Sequence, residues 1–350
     1  MRDPLTLGAA EILALAPDEP ERIFPGDNVG MTRMFRRLAR KWHPDRSTDA
    51  KANDVMARLG ELRETAEKRL ASGNWTEPDT LTLKTTDSRT FRFRYLAKAP
   101  FELGMMYIGK ENIAWCLRPD YADLADNASR LIKSFPYANA NMEKEVSRYL
   151  PSLRAELKTP DGSALIMPRD PELVRLSDLL DYAGGRIDSK QVAWIISSLL
   201  NTACYLRFAG LTHNDISTET FFVSPRLHYG ALLGGWWYGA KAGQPLSALP
   251  TRSADLAPRE VLDGKKGNPR LDQLLIRAIG RELLGDPTGS KLPTLKDVPK
   301  PLADWLRLPG PPDPVEDYRN WMDHVLPGSF GPRRFVKWDI SPTSIYRPRS

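Results

Sequence analysis

Two short runs hold the residue types from which chemistry could be built. The first is His43-Pro44-Asp45, an imidazole and a carboxylate separated by a proline that disfavours helix at the residue before it. The second is Thr212-His213-Asn214-Asp215, continued by Ile216-Ser217-Thr218-Glu219-Thr220. Its histidine and acids could act as a general base and metal ligands, or could only brace their own loop. Cys116 and Cys204 stand apart and outside any CxxC, which is no pattern for a disulfide framework, a zinc site or a dithiol.

The elements around the first run are helical. Met31, Phe35, Leu38 and Trp42 recur at i, i+4, i+7 and i+11, which predicts an amphipathic helix over 30–42. Its opposite face carries Arg33, Arg36, Arg37, Arg40 and Lys41 with no acid among them. Pro44 then ends the helix. A basic helix face followed by a rigid polar loop suits an acidic partner. A second helix is expected over 51–71, capped by Asp49, and a short apolar segment precedes both at Leu7–Leu15. Ser72-Gly73-Asn74 and Glu77-Pro78-Asp79 break the pattern, so residues 72–80 read as a linker.

Phe35 to Asp49, FRRLARKWHPDRSTD, resembles helix II and the following loop of the J domain, the module of Hsp40 co-chaperones. The resemblance covers residues 1–71. It implies that Arg33, Arg36, Arg37, Arg40, Lys41, His43, Pro44 and Asp45 engage a DnaK-type Hsp70 and stimulate its ATP hydrolysis. The chain departs from the family in a long connection, Ala16 to Val29, between the first two helices. Neither zinc-binding cysteine repeats nor a Gly/Phe-rich linker follows.

Beyond the linker, strands are expected first, over 80–85, 90–95, 105–108, 113–117 and 164–167, with polar helices over 122–134 and 142–153 between them. Helices dominate afterwards, at 189–208 behind the cap Asp188, at 272–284, at 302–306 and at 317–325. Residues 90–345 resemble a protein kinase in the order of these parts. Asp215 takes the place of the catalytic base in H-R-D-x-x-x-x-N, Thr220 that of the metal-binding asparagine and Ser217 that of the lysine. Leu232-Leu233-Gly234-Gly235-Trp236-Trp237 replaces D-F-G without a carboxylate, and Cys116 replaces the lysine of V-A-I-K. Arg118, on the same face, is a partial stand-in for that lysine. Ala97 to Gly104 replaces the glycine-rich loop with a single glycine. Ala257-Pro258-Arg259-Glu260 resembles A-P-E with one inserted residue, and Glu260 would pair with Arg333 or Arg334. Asp272 resembles the buried aspartate that braces the catalytic loop. The resemblance implies a kinase outline without positioned metal, clamp or D-F-G acid, which phosphoryl transfer needs. His213 and Asp215 are then architectural, and Trp236, Trp237 and Tyr238 fill the nucleotide cleft as core.

The 350 residues carry 50 basic against 44 acidic side chains, a mixed surface of net +6. An apolar share of 41% excludes a wholly disordered or collagen-like chain. The longest apolar run, Val192 to Leu200, is interrupted by two serines, and the first residues have no secretory pattern. The expected fold class is multidomain: an all-α J domain (helical hairpin, 1–71), then an α+β two-lobed kinase-like domain with an N-lobe about 81–168 and a C-lobe about 169–350. The expected function is a cytoplasmic co-chaperone with no membrane, metal or cofactor, whose pseudokinase section binds a protein client as a scaffold. An alternative is an atypical kinase or nucleotidyltransferase using Asp215 with Glu219, tethered to Hsp70. A third makes the basic helix a nucleic-acid binder, with steep salt dependence.

Overall fold

Asp27 starts the first long helix by accepting the Gly30 N–H at 2.6 Å. In the computed structural model, which describes residues 3–73, 75, 77–332 and 334–346, three helices build the beginning of the chain. They are α1 (Ala9–Leu13), α2 (Asn28–Trp42) and α3 (Ala52–Ala71). Met31, Leu38 and Trp42 of α2 meet Val55, Leu59, Leu62 and Ala66 of α3 in one buried cluster with Ile12. Burying each such side chain is worth about 1.5–3 kcal/mol relative to exposure. Asp49 is not the cap of α3: that position is Lys51, whose N–H bonds the Asp49 carboxylate at 2.9 Å.

The long connection between α1 and α2 is itself part of the core. It forms a 3-10 turn at Pro20–Arg22 and buries Ile23 and Phe24. Arg22 reaches Glu19 at 3.2 Å and also pairs with Asp79. Arg69 of α3 pairs with the buried Glu21 at 2.8 Å. After α3 the chain forms an antiparallel hairpin of β1 (Thr80–Lys84) and β2 (Thr90–Arg94), with Leu81 opposite Phe93 and Leu83 opposite Phe91.

The chain divides into two compact units at Ala97/Lys98. The first unit thus runs past the helices, which end at Ala71. The hairpin counts with the first unit, and Asp79 is bonded inside it through Arg22. Phe93 of β2 and Tyr95 just after it are buried.

The second unit opens with a five-stranded sheet in the order β3-β4-β5-β7-β6. The strands are β3 (Ala97–Phe101), β4 (Gly104–Ile108), β5 (Asn112–Leu117), β6 (Ala155–Thr159) and β7 (Gly162–Pro168). Between β5 and β6 lie α4 (Ala122–Lys133) and α5 (Ala140–Val146). The helix expected over 142–153 is therefore short: it closes in a 3-10 turn at Ser147–Tyr149, and Pro151 falls just beyond it.

Next come β8 (Val174–Arg175), α6 (Leu176–Tyr182) and α7 (Ser189–Ala209). Short pairings follow from β9 (Leu211–Thr212), β10 (Phe221–Ser224), β11 (Tyr229–Leu232) and β12 (Ala240–Lys241). Then come α8 (Thr251–Ala254), α9 (Arg259–Gly264), α10 (Pro269–Leu283), α11 (Lys300–Arg307) and α12 (Pro314–Asn320). Helix α10 starts three residues before Asp272, capped by Asn268. The helix expected over 317–325 begins earlier, with α12, and turns π-helical at Trp321–Val325. Among the described residues α7 alone is long and apolar enough to cross a membrane. Here it packs against α10, α12 and β11 as the central helix of its unit. The architecture is thus mixed α and β with antiparallel sheets, helical in the first unit's core and strand-first in the second.

Candidate functional site

In the first unit the arginines expected to face a partner do face solvent. Arg33, Arg36, Arg37 and Arg40 are exposed along α2 and form no ion pair among the described residues. Lys41 behaves differently. Its ammonium donates to the carbonyls of Leu5 and Leu7 at 2.9 Å each and lies 4.9 Å from the Trp42 ring. It is a clamp on the chain ahead of α1, not a free docking charge. The helix ends at His43, whose carbonyl accepts the N–H groups of Arg46 and Ser47 at 2.8 Å each. Pro44 forces this tight turn. The His43 and Asp45 side chains remain 53% and 86% exposed, with the imidazole Nδ1 3.6 Å from the carboxylate. So they contribute little to the core and are open to a partner.

In the second unit, residues 212–220 form a loop braced from below by Asp272. Its carboxylate accepts the His213 N–H at 2.8 Å and the Asn214 N–H at 2.7 Å. Burial still pushes the Asp272 carboxyl up, to about 7, against the pull of those two donors. His213 is fully buried. Its Nδ1 accepts the Asp215 N–H at 3.2 Å, so Nε2 carries the proton and donates to Gly234 O at 2.9 Å. Burial drives its pKa down to about 3, so it stays neutral. Thr220 is spent on the loop as well, donating to Asp215 O at 2.7 Å and accepting the Ser217 N–H at 3.0 Å. Asn214 sits at φ 65 and donates its amide to Tyr238 O at 2.9 Å.

Asp215 is claimed by a residue the sequence did not point to. Arg252, from α8, donates to its Oδ1 through Nε at 2.8 Å and Nη2 at 2.6 Å, and through Nη1 at 2.5 Å to Glu219. Burial pushes the Asp215 carboxyl up, to about 7, and Arg252 opposes that rise. The candidate base therefore has its carboxylate in an ion pair. No local pattern could have shown this, because the pair is 37 residues apart and α8 is a single short turn.

Gly234 and Gly235 have a steric cause. A Cβ on Gly235, at φ +82, would stand 2.4 Å from His213 Cε1, and one on Gly234 would stand 2.6 Å from the Trp115 ring. Trp236, Trp237 and Tyr238 are buried, in accord with their reading as core. Phe101, Trp115 and Trp237 pack with centroids 5.0–5.1 Å apart. With Tyr238 they line a cavity of about 200 Å³, together with Glu102, Asp215, Glu219 and Arg252. Small-molecule sites usually offer roughly 300–1,000 Å³. Cys116 turns a thiol raised to about 12 by burial, and Arg118 is tied to Glu102 O at 2.7 Å. Strand β5 ends at Leu117, so Arg118 does not share its face, and neither Arg118 nor Lys98 lines the cavity.

Glu260 is exposed and meets Arg270 at 3.9 Å. Arg334 has no ion pair among the described residues, and Arg333 lies outside them. The buried pair of this region is Arg277 with Asp317, doubly bonded at 2.8 Å and shielded by Trp305, whose Nε1 also donates to Asp317. No family model and no curated protein matches the chain.

Proposed function

We propose that the chain is a co-chaperone: a J-domain-like first unit recruits a DnaK-type Hsp70 and stimulates its ATPase, and a kinase-like second unit serves as a scaffold for a protein client in the cytoplasm. The observation that carries the first half is the unpaired, exposed row Arg33, Arg36, Arg37 and Arg40 leading to the open His43-Pro44-Asp45 turn. Such a row attracts an acidic surface and fixes its register, while the turn offers two polar groups that cost the fold little to commit. Arg33, Arg36, Arg37, Arg40, His43, Pro44 and Asp45 form the docking surface; Lys41 supports it from its backbone clamp.

The scaffold half is supported by the pairing of Arg252 with Asp215 and Glu219 and by the acids among the cavity's lining, Glu102, Asp215 and Glu219, beside one guanidinium. A triphosphate needs cations and metal-holding groups at that place. Reading the unit as a kinase or nucleotidyltransferase would require Arg252 to leave.

Single-turnover ATP hydrolysis by a cognate Hsp70 tests the proposal. Wild-type chain should accelerate it and His43→Gln should not, at an unchanged melting temperature. Equal acceleration by both proteins would end the J-domain reading. Transfer of label from γ-ATP that disappears in Asp215→Ala would restore the enzyme.

A further inference from the structure

We propose that the outer edge of β2 docks an acidic peptide, which adds to the hairpin as an antiparallel third strand with carboxylates at alternate positions. The phase of the ladder decides which backbone groups are on offer. Tyr95 donates its N–H to Asp79 O at 2.8 Å, and Thr85 donates its N–H to Arg89 O at 2.8 Å. In an antiparallel pair, directly bonded residue pairs alternate with pairs whose backbone groups point away from each other. Both bonds set the same phase along the register. Leu81 with Phe93 and Leu83 with Phe91 are the bonded pairs, so Thr90, Arg92 and Arg94 turn their N–H and C=O groups outward. The sheet has only these two strands, and no hydrogen bond reaches those outward groups among the described residues. Such a row is a template for an added strand.

The charge on the same residues selects the occupant. Thr90, Arg92 and Arg94 are exposed, their side chains share one face, and neither arginine forms an ion pair among the described residues. Their cross-strand neighbours on that face are Thr82 and Thr80, so no acid within the hairpin's strands opposes them. Two residues of an antiparallel strand rise about 6.8 Å, so acids at i and i+2 of an added strand fall directly opposite both guanidiniums. Opposite charges so placed stabilise the pairing, and like charges oppose it. The intervening residues of the added strand lie on the other face, beside the half-buried Phe91, where apolar side chains suit. The pattern selected is acid and apolar in alternation. This edge uses none of the residues of the co-chaperone reading and does not depend on it.

The test is calorimetric titration of the full chain, at low salt and into the millimolar range, with the peptide acetyl-Thr-Glu-Val-Glu-Val-Glu-Thr-amide. An analogue with glutamine for each glutamate isolates the charge, and one N-methylated at the glutamate amides removes the donors that would face β2. The parent peptide should saturate, with both analogues several-fold weaker. Arg92→Gln combined with Arg94→Gln alters only exposed side chains, so the double variant should keep its melting temperature and bind the parent peptide several-fold more weakly. A flat titration would leave the two arginines as guards of the edge against pairing. Undiminished binding by the double variant would place the peptide elsewhere, and undiminished binding of the N-methylated analogue would mean that no strand is added. Tighter binding of single-stranded oligothymidylate than of the peptide would make the strip a nucleic-acid surface. Each of these four results overturns the proposal.

Discussion

His213 enters the folded protein without its proton, and the sign of its pH effect follows from that. Its pKa falls from 6.5 to about 3 through burial. Below the unfolded value the unfolded chain binds a proton that the folded chain refuses, so stability is lost as pH drops from about 6.5 toward 3. Asp215 and Asp272 shift the other way, up to about 7, and by themselves favour the folded state as pH falls toward 4. The histidine contribution is isolated by difference. The gap in unfolding free energy between wild type and His213→Gln should be constant above pH 7 and shrink by about 1.4 kcal/mol per unit below 6.5. Denaturant titrations at four or five pH values measure it, and a pH-independent gap would mean that His213 is not buried neutral. Gly235 makes a simpler case. Alanine there adds a left-handed backbone penalty to a Cβ only 2.4 Å from His213. Gly235→Ala should cost about 2 kcal/mol or more, whereas Gly264→Ala, with open space around it, should cost little.

Helices α10 and α12 are joined by a charge pair that neither helix announces. Arg277 and Asp317 are 2% and 0% exposed, and the guanidinium also lies 4.0 Å from the Trp305 ring. Removing one partner leaves a buried charge alone, so Asp317→Ala should destabilise by about 3–5 kcal/mol in denaturant unfolding. The double replacement Arg277→Met with Asp317→Leu should cost much less than the two single changes summed; strict additivity would show that the pair is not coupled. This is also where legibility in the sequence stops. The helices α2, α3, α7 and α10 were readable because their apolar spacing is a local signal, as was the hairpin from its alternation. Strand β6 was not, since Ala155-Glu156-Leu157-Lys158-Thr159 offers one large apolar residue, Leu157, beside the small Ala155 on its inner face. In the candidate site the loop, its aspartate brace Asp272 and the tryptophan core could be anticipated. Arg252 could not, nor could the diversion of Lys41 to backbone carbonyls, because both depend on partners that only the fold brings near.

At the scale of the whole molecule, the division at Ala97 changes which fragment should stand alone. A piece ending near Gly73 keeps α1, α2 and α3 but loses Asp79, the second partner of Arg22. It also loses Phe93 and Tyr95, which are buried at 6% and 7% exposed. Arg22 itself is only 11% exposed, so it would keep one carboxylate, Glu19, where it had two. Burying one aromatic side chain is worth roughly 1.5–3 kcal/mol, so the shorter fragment forfeits at least that much. For a unit of this size each kcal/mol shifts the melting temperature by about 4–8 °C. Fragment 3–97 should therefore melt some 10 °C above fragment 3–73, in the order of magnitude those figures give. Limited proteolysis of the full chain should agree, leaving a first product that still contains Arg94. If instead the product ends within 72–79 and melts like 3–97, the hairpin adds nothing to the stability of the first unit, and β1 and β2 belong to the second.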